Sequence, residues 1–317
     1  MDSIRTYINT TKWKNSEIVL LQSDMSARKY YRLTKNNSTV VLMDARKCVE
    51  VIHPFIDISD YLKRYDFSCP EIYEVDYING YVLIEDFGDN TFYRYIQTNQ
   101  SEIDKLYKTA IDLLLSFSTI NDENICPLYD SEFLIKELTY FIDWYIPYIG
   151  VELLPEVKNS FYKSWERVFL FLENNTNKFV FVHKDFHCGN LMILSNRKGI
   201  KSIGLIDYQN AKFGNNLYDL ISFLYDCRVL ISNKLRRDLI SHYIKNVNIS
   251  KSVFNLTCKI LIVQRNLKIL GNFTKAYLTQ SNPYYLKYLS NVWNTINNNL
   301  DIEPLEDIKG WLSSNIC

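Results

Sequence analysis

Apolar positions in the 317-residue chain change period after its first third. Three short apolar runs come first: Ile18 to Leu21, Tyr30 to Leu33 and Thr39 to Met43. The turn-forming stretches Ser23-Asp24-Met25-Ser26-Ala27 and Lys35-Asn36-Asn37-Ser38 separate them. Runs of this length between Ser, Asn and Asp predict strands joined by tight turns. His53 to Tyr65 then places Phe55, Ile58, Tyr61, Leu62 and Tyr65 on one helical face, directed at a core. Cys69-Pro70 to Val75 and Gly80 to Ile84 complete an expected five-stranded sheet. From Thr91 onward the pattern is mostly helical. Ile103 to Thr119 is amphipathic, with Ile103, Leu106, Tyr107, Ala110, Leu113, Leu114 and Phe117 on one side. Phe133 to Tyr148 sets Phe141, Trp144, Tyr145 and Tyr148 at near-helical spacing, for which core packing is expected ahead of ligand stacking. Helices are further expected from Phe161 to Leu172 and over 233–247, 252–270 and 284–299.

Composition narrows the class. Hydrophobic residues make up 47% of the chain and aromatics 15%, enough for a packed core and against disorder. Thirty-six basic residues balance thirty-six acidic ones, which gives no support for nonspecific attraction to nucleic acid or a membrane surface. The seven cysteines are scattered and never in C-x-x-C spacing, as expected for reduced thiols in the cytoplasm. No long apolar segment opens the chain, and no apolar run approaches the ~20 residues of a membrane span. A soluble cytoplasmic protein is the expectation, its oligomeric state open.

One strand-like stretch interrupts the helical region. Phe179 to Val182 leads into a polar segment carrying His183, Asp185, His187 and Asn190. Leu191 to Leu194 and Ile203 to Ile206 follow, separated by Ser195-Asn196-Arg197-Lys198-Gly199, a β-hairpin signal. Antiparallel pairing brings Asn190, just before the first strand, and Asp207, just after the second, to the same open end. Facing Cα atoms in such a ladder lie about 4.5–5.5 Å apart. An amide oxygen and a carboxylate there can converge on Mg²⁺, which prefers oxygen ligands. His183-Lys184-Asp185 with Asn190 fits the H-x-D-x-x-x-x-N spacing of phosphoryl transfer, in which the Asp takes a proton and the Asn holds metal. Asp207, in Asp207-Tyr208-Gln209, falls where a second metal-binding Asp belongs. A metal hydrolase site from His183, Asp185 and His187, completed by another ligand, is the alternative reading.

On these residues the chain resembles the aminoglycoside phosphotransferase and choline kinase group, relatives of protein kinases. Three further segments resemble the anomeric N-acetylmuramate and N-acetylglucosamine kinases of cell-wall recycling: Ser26-Ala27-Arg28-Lys29-Tyr30-Tyr31-Arg32, Val41-Leu42-Met43-Asp44-Ala45 and Leu83-Ile84-Glu85-Asp86-Phe87-Gly88-Asp89. The resemblance implies an α+β, bilobal, protein-kinase-like fold. Residues 1–86 would form the nucleotide-binding lobe and 87–317 a helical lobe containing the hairpin region 179–210. It implies MgATP as co-substrate, Asp185 as catalytic base, and Asn190 and Asp207 on the metal. Adenine would meet the backbone at Glu85 and Phe87. His183 and Asp219 would support the catalytic loop, Asp219 from a helix start. The departures are a first turn without glycine, where Ser23, Ser26 and backbone amides would meet phosphates, and a third strand ending in Asp44 rather than lysine. Arg28, Arg32 or Arg46 would replace that lysine, with Arg28 and Arg32 expected on one strand face. Gln264 to Gly271 resembles a further segment of the sugar kinases. Arg265 and Lys268 share a helix face there, and with His187 they are candidates to meet the acceptor, including the lactyl carboxylate of N-acetylmuramate; a solvated face is the competing expectation. Other acceptors, an aminoglycoside or choline caged by Trp144, Tyr145 and Tyr148, stay open, as does a pseudokinase that binds and does not catalyse.

Overall fold

The computed structural model describes residues 2–21, 27–120, 124–175, 179–247 and 249–316. The turn expected to meet phosphates through Ser23 and Ser26 lies outside the described residues. The chain forms two compact units, Met1–Tyr95 with Gly189–Asn210, and Ile96–Cys188 with Ala211–Cys317.

The first unit is built on five antiparallel strands: β1 (Glu17–Leu21), β2 (Lys29–Lys35), β3 (Ser38–Asp44), β4 (Ile72–Asp76) and β5 (Tyr81–Ile84), in the order β1-β2-β3-β5-β4. All five coincide with expected runs to within a residue or three. Asn36 and Asn37 make the β2–β3 turn with φ of 49° and 61°, the left-handed pair that a two-residue hairpin turn requires. The helix Ile52–Arg64 fills the crossing from β3 to β4. Leu33, Val40, Leu42 and Leu83 bury one sheet face under the helix Asp2–Ile8, whose Tyr7 stacks on Tyr81 at 4.6 Å. The hairpin strands Leu191–Ile193 and Ile203–Leu205 also belong to this unit. The Leu205 amide donates to the Ser68 carbonyl at 2.7 Å and the Ile193 amide to the Asn90 carbonyl at 2.8 Å.

The second unit is mainly helical around a small sheet, in which Lys212–Asn215 pairs antiparallel with Phe179–Val182 and parallel with Leu128–Tyr129. Its axis is one helix, Lys251–Gln280, thirty residues long. The expected helix over 252–270 thus runs on past Gly271 to Gln280. Gly271 serves close contact. A β-carbon at this position would fall 2.1 Å from the carbonyl group of Tyr140 and 2.6 Å from the amide of Phe141. The helix ends at Ser281, left-handed at φ 52°, before Pro283. The expected helix over 284–299 begins as a 3₁₀ segment, Pro283–Tyr288, and continues as Leu289–Asn297; a last helix, Glu306–Asn315, was not anticipated.

The aromatic stretch from Phe133 to Tyr148 is broken by a π-helical turn, Phe141–Tyr145, so its rings diverge. Phe141 stacks on Tyr145 and Phe161, Trp144 lies under the Lys275 ammonium at 5.4 Å, and Tyr148 meets Tyr277 edge-on. These rings pack against neighbouring helices and do not assemble the cage considered for choline. Among the described residues no helix is long and apolar enough to cross a membrane.

Gly271→Ala tests the close approach. Helix propensity alone favours alanine by about 1 kcal/mol. Backbone overlap at the turn reverses the sign, and a net loss of about 1–3 kcal/mol is expected. Urea unfolding measures it; a variant as stable as the parent would mean that the turn yields freely.

Candidate active site

The second unit carries the loop that follows the strand Phe179–Val182. Asp219, in the first turn of the helix Tyr218–Leu224, accepts hydrogen bonds from the amides of His183 at 2.6 Å and Lys184 at 3.0 Å. Lys184 is held at φ 76°, a left-handed conformation that costs a side chain-bearing residue about 1–2 kcal/mol. Both amides therefore point at one carboxylate, and Asp185 leaves the turn in a set direction. The His183 ring is fully buried, edge-on to Phe186.

A buried cluster surrounds this turn. The Lys184 ammonium pairs with Glu137 at 2.6 Å, and Lys268 reaches the other oxygen of Glu137 at 3.1 Å. The Tyr129 hydroxyl donates to Glu137 as well, and Lys268 donates to the Tyr218 hydroxyl at 3.3 Å. Arg265 and Lys268, for which a solvated face was the competing expectation, are 6% and 8% exposed. Burial would raise the pKa of Asp185, but the charge of Lys268 first, and that of Lys184, overcome it and hold the carboxyl below its ordinary value. Asp219 is different. Burial outweighs its two amide donors and pushes it up to about 7. His187 is driven down to about 4, by burial first and then by the Arg228 charge, so its imidazole is neutral at physiological pH.

A second brace holds the far side of the loop. Asp226 accepts from the Cys188 amide at 3.2 Å, and its other oxygen takes the amide and guanidinium of Arg228, each at 3.1 Å. Sequence reasoning did not single out Asp226, Arg228, Glu137 or Lys184. Their only sequence trace is an acid and a base two residues apart just past the helix that carries Asp219.

The first unit carries the hairpin. Leu191 faces Leu205, Met192 faces Gly204 and Ile193 faces Ile203, and the Ile206 amide donates to the Asn190 carbonyl at 3.2 Å. Asn190 and Asp207 thus lie at its open end. Asp207 is left-handed at φ 65°. Arg28, 5% exposed, pairs with Asp207 and donates to Gln209 at 2.6 Å, while Gln209 donates to the same Asp207 oxygen at 3.1 Å. Tyr208 stacks on Phe55 at 5.1 Å, fixing this segment to the helix Ile52–Arg64.

Arg28 and Arg32 do not share a strand face. Arg28 precedes β2, whereas Arg32 lies within it and forks onto Asp86 at 2.7 and 3.0 Å and onto Asp89. Arg46 is taken by Asp44 at 2.8 Å. Of the three arginines, it is Arg28 that meets Asp207.

The segment after β5 is clasped by a residue not anticipated. Arg197, in the hairpin turn, pairs with Glu85 at 2.9 Å and lies over the Phe87 ring at 5.2 Å. That ring lies against Gly204, where a β-carbon would approach it to 2.7 Å. The Glu85 amide donates to the Glu71 carbonyl at 2.7 Å.

The carboxylate of Asp207 and the side-chain amide of Asn190 are a hard oxygen-donor set, which suits magnesium. Only one oxygen of Asp207 is engaged by Arg28 and Gln209, and its side chain is 36% exposed. The metal hydrolase alternative fares worse. Among the described residues no three His, Cys, Asp or Glu side chains are grouped to hold a metal ion, and the His183 ring is committed to the core.

Comparison with known proteins agrees with this architecture. An N-acetylmuramate/N-acetylglucosamine kinase of Pseudomonas aeruginosa is 28% identical over 86% of this chain and 80% of its own. The choline kinase of Streptococcus pneumoniae superposes with a TM-score of 0.63 at 13% identity, over 94% of this chain and 98% of that one. An ADP-bound aminoglycoside phosphotransferase superposes with a TM-score of 0.61 at 14% identity, over 92% and 97%. The family model of the phosphotransferase enzymes matches residues 17–248, and the chain belongs to that family.

Proposed function

We propose that this protein is an ATP- and magnesium-dependent kinase that phosphorylates a hydroxyl of an amino sugar, such as the anomeric hydroxyl of N-acetylmuramate or N-acetylglucosamine. The observation that carries the reading is the doubly braced loop around Asp185, with its carboxylate kept ionised by buried lysine charge. The sugar specificity draws on the likeness to the Pseudomonas kinase.

In this reading Asp185 accepts a hydrogen bond from the acceptor hydroxyl and takes its proton as the phosphoryl group transfers. Asn190 and Asp207 hold the magnesium, which when bound neutralises charge on the nucleotide phosphates. Arg28 supplies the fixed positive charge of the absent strand lysine. The Glu85 carbonyl and the Phe87 amide take the adenine edge; neither makes a backbone hydrogen bond among the described residues. His187, being neutral, offers the acceptor a hydrogen bond without competing with Asp185 for the proton. His183 and Asp219 position the loop.

Incubating the purified protein with MgATP and a panel of amino sugars, choline and aminoglycosides, with products identified by mass, tests the reading. A phosphorylated amino sugar is expected; an exclusive aminoglycoside or choline product would replace the acceptor. Asp185→Asn is expected to slow turnover by about 10²-fold or more while nucleotide affinity stays close to that of the parent. A rate near wild type would place the base elsewhere. Asp207→Ala is expected to abolish magnesium-dependent turnover, and retained activity would remove Asp207 from the metal.

The pH behaviour of His187 gives an independent check. Its folded pKa of about 4 lies below the ordinary 6.5, so the unfolded chain binds the extra proton first. The stability it contributes is present above pH 6.5 and is lost as pH falls toward 4. Site-resolved NMR titration should find an imidazole still neutral at pH 6. A midpoint above 6 would mean that the ring is far more hydrated than its burial implies.

A further inference from the structure

Three lysine or arginine side chains in the described residues are at least nine-tenths buried: Arg28, Arg265 and Lys268. Arg28 is paired with Asp207, and Lys268 with Glu137. Arg265 makes no side-chain hydrogen bond or ion pair among the described residues. A guanidinium stays charged at any relevant pH, and a charge drawn out of water calls for a paired, hydrogen-bonded anion. The nearby acids are already committed. Glu137 serves two lysines and Tyr129, Asp226 serves Arg228 and the Cys188 amide, and Asp219 serves the amides of His183 and Lys184.

The position of Arg265 indicates what would complete it. It lies one turn before Lys268 on the helix Lys251–Gln280, on the face that reaches Glu137 and, through it, Lys184, the neighbour of Asp185. Its charge is felt at His187, at Tyr218 and at Asp219, whose carboxyl it helps to hold down although no hydrogen bond joins them. An anionic group on the acceptor would therefore meet Arg265 within the same unit as the base.

We infer that Arg265 anchors a carboxylate carried by the acceptor, and so sets the preference between acidic and neutral amino sugars. The inference rests on the amino-sugar reading and deepens it. N-acetylmuramate bears such a group on its lactyl ether, and N-acetylglucosamine does not. The planar guanidinium matches a carboxylate through two parallel hydrogen bonds, which a lysine in its place would not reproduce. Lys268, bound to Glu137, fixes the helix face and leaves Arg265 to the ligand.

The test compares kcat/KM for the two sugars. In Arg265→Met the ratio of N-acetylmuramate to N-acetylglucosamine turnover is expected to fall by about 30-fold or more, the effect of removing one member of a buried charge pair. Arg265→Lys should recover part of the ratio. A second arm needs no variant: the wild-type enzyme should lose a similar factor on the methyl ester of N-acetylmuramate, in which the carboxylate is blocked. Equal losses on both sugars in Arg265→Met, or an ester used as well as the acid, would overturn the inference while leaving the kinase reading intact. Turnover of neither sugar by the wild type would overturn the amino-sugar reading and this inference with it.

Discussion

One carboxylate holding two consecutive amides is the constraint on which the catalytic loop depends. Asp219 receives the N–H groups of His183 and Lys184, and that grip keeps Lys184 in a backbone region that L-residues avoid. Hydrogen bonds to a charged group contribute about 1.5–3 kcal/mol each, enough to offset the conformational cost. Burial nevertheless dominates the titration of Asp219, which places a weakly basic acceptor near neutrality behind the loop. Asp226 repeats the device at Cys188. The stretch between them, with Asp185 and His187, is pinned at both ends.

The same economy governs the charges in both units. Glu137 joins Lys184 to Lys268 in one unit, and Arg28 joins Asp207 to Gln209 in the other. Charges taken out of water must be paired and hydrogen-bonded, and removing one member strands the rest at a cost of about 3–5 kcal/mol. Each cluster is therefore a unit in which single substitutions cannot be read as the contribution of one residue.

Much of this could be read from the chain before any coordinates. The hairpin was legible because five turn residues separate two apolar runs, and the five-stranded sheet because each strand is short and flanked by Asn, Ser or Gly. Asp219 was picked out through the family resemblance, which puts a loop-bracing Asp at a helix start. Glu137 was not, since one acid in an amphipathic stretch looks like any solvated carboxylate until Lys184 and Lys268 come to it from distant segments. Arg197 was hidden in a turn whose residues read as turn formers only. The end of the long helix was missed as well: the expected segment stopped at 270, and nothing in the letter of Gly271 tells that it lets two backbones touch. Arg28 and Arg32 misled through an assumed strand start; β2 begins one residue after Arg28.

The left-handed backbone at Lys184 and Asp207 has a consequence for engineering this molecule. Glycine would relax either residue, yet it would delete the ammonium that holds Glu137 or the carboxylate that holds Arg28. Conformational comfort and chemistry compete there for the same side chain, as they do in enzymes whose activity limits their stability. Thermostabilising screens should therefore enrich changes in the sheet and the outer helices and leave these two codons untouched, which would make their invariance in a selected library a signature of function.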